Sequence, residues 1–370
     1  MSRAGADEFR IMLDGLAAGR ELALATVVAT SGSVYRRAGA RMLIEAGGET
    51  FGSVSGGCLE ADLVERARRL APGMPPQVIE YDGVAEDGMP WGLGLGCNGR
   101  VAVVLRRLGS GDRGWLELVC AARAVRHPAA LATVFGGAGI APGVTLAVDA
   151  QGATAGIGDS ATVLETPLRA VLAAGRTRIE HADAGGRSVL YEYLPPALQL
   201  WIVGAGPDAG PLAAAARGLG WTVRVVDHRA ALMRPERFPG CTLDVGEPQQ
   251  ALAQLAADAR TAIVVMTHNY ERDRRALAAL AGAAPAYLGV LGPRSRTERL
   301  RAELRARGCW PKLAAERLFA PVGLALGAET PEEIAVAIVA EIVAQVRGGP
   351  GGSLRDRDAP IHEPEPGQGV

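Results

Sequence analysis

The apolar run Leu200-Trp201-Ile202-Val203 leads directly into Gly204-Ala205-Gly206-Pro207-Asp208-Ala209, and this junction limits the folds open to the chain more than any other segment. A buried strand that passes through two glycines into the first turn of a helix opens a dinucleotide-binding βαβ unit. In that reading Gly204 makes the tight turn, Gly206 lets the backbone approach a pyrophosphate, and Ala209 replaces the third glycine where helix and strand pack closely. Asp227 ends the next strand-like run, Thr222 to Val226, at the spacing expected for a ribose contact. Further runs at Ala262 to Met266 and Tyr287 to Leu291 alternate with helical patterns, which predicts a doubly wound parallel sheet of Rossmann type. Ligands of such sheets sit beyond the carboxyl ends of the strands. The tips there are polar, with Thr267 and His268 after one run and Gly292, Pro293, Arg294 and Arg296 after the next, so His268 and Arg294 are candidate nucleotide contacts. A scaffold kept only for packing, with Arg294 a solvated loop residue, is the plainer alternative.

With 370 residues the chain has room for two domains, and Pro195-Pro196 interrupts regular pairing just before the first Rossmann strand. The expected division is a cofactor-handling domain over 1–195, a nucleotide-binding domain over 196–347 and a disordered tail over 348–370, rich in Gly, Pro and charge. The first domain mixes strand-like runs, Leu22 to Thr30, Val101 to Leu105, Leu131 to Phe135, Thr145 to Val148 and Val189 to Tyr193, with helical spacing near Glu60 to Leu70, Leu116 to Val125 and Ala161 to Ala174. This is an α+β pattern in which no clear repeat stands out. The last helix of the second domain is framed by Thr330, Pro331 and Glu333 as cap, first-turn proline and reciprocal capping carboxylate, and by Gly348 at its end.

Charge excludes several classes of partner. The 39 basic and 40 acidic residues leave a formal net charge of -1, with no global field for nucleic acid or an anionic membrane. No run reaches the roughly 18 uncharged apolar residues of a membrane span, and Met1 to Asp14 has no apolar core of a cleaved signal, so a cytosolic location is expected. Cys58, Cys97, Cys120, Cys241 and Cys309 are odd in number and lack metal-site spacing, as suits thiols in a reducing compartment.

Two glycine-rich stretches of the first domain carry the unusual chemistry. One runs from Thr30 through Ser33, Arg36, Arg37 and Arg41 to Ser55-Gly56-Gly57-Cys58-Leu59-Glu60; the other is Leu93-Gly94-Leu95-Gly96-Cys97-Asn98-Gly99-Arg100. Glycines around a cysteine leave room for a bulky ligand and expose backbone N–H groups, and the arginines add positive charge. Cys97, among four glycines, is the stronger ligand candidate. For Cys58 a buried apolar thiol is an equal alternative, and Glu60 fits the start of a helix, where a carboxylate is favoured.

Over nearly its whole length the sequence resembles the XdhC/CoxI family of accessory factors. The match rests on Ser-Gly-Ser-Val-Tyr-Arg-Arg-Ala-Gly-Ala-Arg-Met at 31–42, Ser-Gly-Gly-Cys-Leu-Glu at 55–60, the block at 93–100, the Rossmann turn, Met-Thr-His-Asn at 266–269, Tyr-Leu-Gly-Val-Leu-Gly-Pro-Arg at 287–294, and the block at 320–334. The resemblance implies binding of the molybdenum cofactor (molybdopterin), its sulfuration by a cysteine desulfurase, and hand-over to an apo-molybdenum hydroxylase of the xanthine dehydrogenase or carbon monoxide dehydrogenase type. Arg36, Arg41, Gly56, Gly57, Cys58, Gly96, Cys97, Gly99 and Arg100 would then handle the cofactor, with Cys97 as a molybdenum contact and NAD(P) or another nucleotide in the Rossmann crevice. Pro207 stands where family members often carry histidine. On this reading the protein is a maturation factor without multiple-turnover chemistry, with a homo-oligomer left open. An NAD(P)-dependent oxidoreductase is the competing class, though the sequence shows no obvious Ser/Tyr/Lys or His/Asp relay motif near the turn, and a substrate domain could supply groups that sequence order hides. A nucleotidyltransferase would need a carboxylate cluster for magnesium, which isolated Asp208 and Asp227 do not form.

Overall fold

The computed structural model describes residues 7–83, 99–137, 139–157, 161–181, 186–310, 318–356 and 358. Helix α1 (Glu8–Ala17) starts where the Asp7 carboxylate accepts from the Phe9 amide at 3.1 Å, and it buries Phe9, Ile11 and Met12. The chain continues through β1 (Leu22–Gly32), β2 (Arg41–Glu45), β3 (Thr50–Gly52), α2 (Glu60–Arg69), β4 (Gln77–Asp82) and β5 (Gly99–Arg107). These strands form an antiparallel sheet in the order β3-β2-β1-β5-β4. Next come α3 (Arg113–Ala124), β6 (Ala129–Gly137), β7 (Thr145–Asp149), β8 (Thr154–Gly156), α4 (Ala161–Ala174), β9 (Arg178–Glu180) and β10 (Arg187–Leu194), whose strands again lie antiparallel, in the order β8-β7-β6-β10-β9.

The second set reproduces the first element for element, so the expectation of an α+β domain without a clear repeat is corrected. Residues 23–26 and 130–133 both read Ala-Leu-Ala-Thr, and Thr26 faces Arg41 as Thr133 faces Thr145. Both central strands carry a bulge at the same place, where Val28 and Phe135 have no partner in the register. Leu24 pairs with Arg106 where Leu131 pairs with Glu192. The repeat escapes a reading by motif because, beyond this run and the Val27 and Val134 that follow it, identities such as Gly48 with Gly152, Thr50 with Thr154 and Gly52 with Gly156 are scattered singly through the two copies.

Each copy has an apolar helix side and an apolar sheet side, and the packing follows. The two sheets meet through Val28, Val104, Phe135 and Leu190. Helix α2 covers the outer face of the first with Leu63 and Ala67, and α4 covers that of the second with Leu164 and Leu168. Helices α1 and α3 pack together, with Phe9 edge-on to Trp115 at 6.2 Å between ring centroids.

Strand β10 and β11 (Gln199–Val203) belong to different sheets, and Pro195 and Pro196 lie between them. The chain separates into compact units over Ala6–Pro196 and Ala197–Asp356. In the second, β11, β12 (Thr222–Asp227), β13 (Thr242–Val245), β14 (Thr261–Val265), β15 (Tyr287–Val290) and β16 (Leu318–Phe319) form a parallel sheet in the order β13-β12-β11-β14-β15-β16, the expected Rossmann-type topology. Helices α5 (Ala209–Gly218) and α9 (Pro331–Arg347) cover one face, while α7 (Tyr270–Ala279) and α8 (Arg294–Ala306) cover the other; α6 (Pro248–Ala253) lies between β13 and β14 in the chain. Helix α9 has its capping box, with the Glu333 amide donating to Thr330 Oγ at 3.3 Å and the Thr330 amide to the Glu333 carboxylate at 3.0 Å, and it ends at Gly348 with φ +69°. Most of the tail expected after it, residues 359–370, lies outside the described residues.

One buried ion pair joins the two copies. Arg41, on β2, meets Glu192 on β10 and also Glu8 at 3.1 Å, and its side chain is 3% exposed. Burial disfavours the cation, yet the two carboxylates hold the guanidinium above its ordinary pKa. Replacing Glu192 with glutamine leaves the buried cation to Glu8 alone, and the expected loss is about 3 kcal/mol of stability. Urea unfolding at neutral pH measures it, and a loss under about 1 kcal/mol would contradict the role given to the pair.

Candidate functional site

The connection from β3 to α2 is built around one serine and one glutamate. Ser55 Oγ accepts from the amides of Gly57 at 3.1 Å and Leu59 at 3.2 Å and donates to the Glu60 carboxylate. Glu60 also accepts from the amides of Ser55 at 2.8 Å, Val54 at 3.2 Å and Leu59 at 3.2 Å. Burial alone would raise the pKa of Glu60, but these hydrogen bonds outweigh it and hold the carboxyl below its usual range. Val54 and Leu59, both buried, pin the two ends of the loop. Gly56, Gly57 and Cys58 are thereby turned outward, and the Cys58 thiol is exposed 3.5 Å from Ser55 Oγ.

Opposite this loop the Tyr35 ring lies over Gly56, at ordinary van der Waals distance from where a side chain would begin. Both belong to the lining of a cleft of about 260 Å³, with Arg36 on its wall and Tyr81 and Val101 also among its lining. The Tyr81 hydroxyl donates to Asp62 at 2.6 Å, and burial together with that carboxylate pushes its pKa well up. Gly99, at the start of β5, is required here: a Cβ would lie 2.5 Å from the Ser33 carbonyl oxygen and 2.8 Å from that of Ser31. Only a bare backbone lets the arginine-bearing segment close over β5.

The fold thus brings Arg36, Gly56, Gly57, Cys58 and Gly99 together. Cys58 is exposed at a cleft rather than buried in the core, which removes the apolar-thiol alternative. Arg41 does not join them. Its guanidinium is held in the interior by Glu192 and Glu8 and has no path to an external anion. Arg100 alternates to the other face of the sheet, where it pairs with Asp82 at 2.9 Å beside a separate cleft of about 410 Å³ that includes His181. Gly96 and Cys97 lie outside the described residues. Ser55, Tyr35 and Tyr81 join the candidate residues only in the folded chain, and Glu60 serves the loop as well as the helix start; the serine placed before Gly-Gly-Cys-Leu-Glu is the signal for this in the sequence.

At the Rossmann turn, Gly204 has φ +118°, and a Cβ there would meet the Met266 carbonyl oxygen at 2.6 Å. Ala209 is fully buried at the start of α5. Asp227, 2% exposed, does not turn outward to a ribose. Its carboxylate accepts from the Ala205 amide at 2.7 Å, the Arg229 amide at 2.8 Å and the Arg229 guanidinium at 2.7 and 2.9 Å. Burial works against ionisation there, but the arginine and the two amides bring the pKa down to about 2. His268, at φ +57°, sits over Gly206. Arg294 is 82% exposed and pairs with Glu298, whereas Arg296 reaches inward to buried Asp273. Among the described residues, no helix is long and apolar enough to cross a membrane, and no group of three or more His, Cys, Asp or Glu side chains is placed to hold a metal ion.

Comparison with known proteins covers both halves of the chain. The model described as "XdhC and CoxI family" matches residues 15–82, and that described as "XdhC Rossmann domain" matches residues 200–342. A protein of Bacillus subtilis (strain 168) named as a probable xanthine dehydrogenase subunit is 34% identical over 338 residues, covering 90% of this chain and 96% of the relative. The molybdenum cofactor insertion chaperone PaoD of Escherichia coli (strain K12) is 27% identical over 339 residues, covering 91% and 87%. A crystal structure of a xanthine dehydrogenase from Bacillus halodurans superposes with a TM-score of 0.76 at 28% identity, covering 92% of this chain and 96% of that one.

Two measurements check this geometry. In a Cys97→Ser background at mildly alkaline pH, a disulfide reagent should modify exposed Cys58 first and Cys120 far more slowly, because burial and then Asp7 push the Cys120 thiol up to about 11 and the thiolate is the nucleophile. Peptide mapping orders the sites; preferential labelling of Cys120 would contradict it. Asp227, whose folded pKa lies below the ordinary 3.8, contributes stability that is fully present above that value and is lost as pH falls toward 2. Asp227→Asn should therefore flatten the loss of stability between those limits in urea titrations, and an unchanged acid limb would rule the contribution out.

Proposed function

The chain belongs to the XdhC and CoxI family, and from that premise we propose that it is an accessory protein that carries the molybdenum cofactor as cargo to a xanthine dehydrogenase-type hydroxylase. The observation that carries this reading is the Cys58 cleft: an exposed thiol on a glycine turn, with Arg36 on the same cleft wall. That donor set suits molybdopterin. A guanidinium holds a phosphate, glycines admit close approach of a bulky ring system, and a thiol is a soft partner for a metal-dithiolene centre. Cys58, Gly56, Gly57 and Arg36 would hold the cargo, and Cys97, with Gly96 nearby in sequence, is proposed as a second thiol for it. Sulfuration by a cysteine desulfurase before hand-over, in the cytoplasm, belongs to the same proposal. The name of the Escherichia coli relative supports the carrier role. The enclosed Asp227 carboxylate gives no support to an NAD(P)-dependent oxidoreductase.

The test is to purify the full chain from molybdenum-replete cells, measuring bound molybdenum by mass spectrometry and pterin by fluorescence after oxidation. The parent protein should carry both, and Cys58→Ser or Arg36→Ala should lower the load about tenfold or more, a change of about 1.4 kcal/mol in binding. Cys120→Ser should carry the parental amount. Undiminished load in both cleft variants would move the site elsewhere, and a parent protein free of pterin would end the carrier reading.

A further inference from the structure

The Rossmann turn has the backbone of a phosphate site, but its own side chains already stand where a dinucleotide would go. The N-terminus of α5 is the end at which such helices receive a pyrophosphate on their first amides, and here the Ala209 amide already donates to the Gly206 carbonyl at 3.3 Å while Pro211 has no N–H. Asp208 is the residue before the helix, and its carboxylate, 16% exposed, caps none of those amides. Instead it faces His268, with Nε2 3.4 Å from Oδ2. The same imidazole lies over Gly206, with ring atoms 3.3 and 3.4 Å from the place of a Cβ, so it fills the space that the missing side chain would leave for a phosphate. His268 is held for this in the left-handed region at φ +57°, a conformation in which a non-glycine residue persists only when its surroundings impose it. Thr267 supplies that constraint: its amide and hydroxyl bond the buried Asp273 carboxylate, which Arg296 also engages. On the other side of the turn the Asp227 carboxylate is enclosed by Ala205 and Arg229.

We propose that Asp208, positioned by His268, is the specificity-determining residue of this crevice and excludes ligands that place a pyrophosphate on the glycine turn, dinucleotides foremost. The carboxylate is a fixed negative charge at the helix end, and an incoming phosphate meets both like-charge repulsion and the imidazole lying over Gly206. The Gly-Ala-Gly turn then serves close packing of β11 against β14, where Gly204 lies against the Met266 carbonyl.

The experiment uses the full chain, with inorganic pyrophosphate and NADH as probes in calorimetric titrations, and thermal unfolding to establish that each variant is folded. Asp208→Ser removes the charge and shortens the side chain while keeping a good helix-capping residue, and His268→Asn removes the ring while tolerating the left-handed backbone. The parent protein should bind pyrophosphate weakly, and the double variant should gain at least about tenfold in affinity. If the parent binds either probe as tightly as the double variant does, the exclusion is wrong. Failure of the folded double variant to gain affinity for either probe would equally overturn it, because some other feature would then close the crevice.

Discussion

A guanidinium placed between two sheets has to be answered from both, and Arg41 is the point where the first unit is tied together. Its partners Glu8 and Glu192 come from the helix that opens the first copy and from the last strand of the second. The duplicated architecture places a second arginine in a related spot. Arg106 occupies the position equivalent to Glu192, 3.5 Å from Thr145, which is the equivalent of Arg41. Asp112 neutralises Arg106 at 2.6 Å and also accepts from the Trp115 indole at 2.8 Å. Both buried arginines thus come from the first copy, Arg41 on β2 and Arg106 on β5, and each cation is met by carboxylate held in place by packing.

The candidate site arises where the two copies differ. The first copy joins its short third strand to its helix through residues 53–59, whereas along the sequence of the second only residues 157–160 separate the corresponding strand and helix. The longer connection carries Ser55, the two glycines and Cys58, and the shorter one has no cysteine. Glu60 is central to the difference. By accepting from the loop amides of Val54, Ser55 and Leu59 and from the Ser55 hydroxyl together, it fixes a glycine-rich loop that would otherwise sample many conformations, and so gives the thiol a defined place at the cleft.

In the second unit, backbone and side chains say different things. The strand order, the tight turn and the helix behind it reproduce a nucleotide-binding frame. Asp227 and His268 point back into that frame and take up the spaces through which a ligand would be read. A motif defined by residue type and spacing specifies the frame, because turn geometry depends on local backbone sterics. Whether a carboxylate faces a ligand or its own turn depends on which partners the fold brings to it.

Much of this was decided along the chain. The parallel sheet, its glycine turn, the capped last helix and the apolar faces of α2, α3 and α4 follow from periodicity and local backbone preference, which act over a few residues. Gly56, Gly57, Cys58, Gly99 and Arg36 could be grouped as a site because they cluster in sequence blocks rich in glycine and charge. Other features were left to the tertiary structure. Arg36 and Arg41 look alike in sequence, yet one lies on a cleft wall and the other is sealed against Glu192, a residue far along the chain that only the pairing of sheets brings near. Arg294 and Arg296 divide in the same manner between solvent and Asp273. The doubling of the first unit was equally hidden, since strand order and a shared bulge are properties of pairing. Local sterics specify turns, helices and the alternation of a strand; the partner of a buried charge is set by contacts between distant segments, and those exist only once the chain has folded.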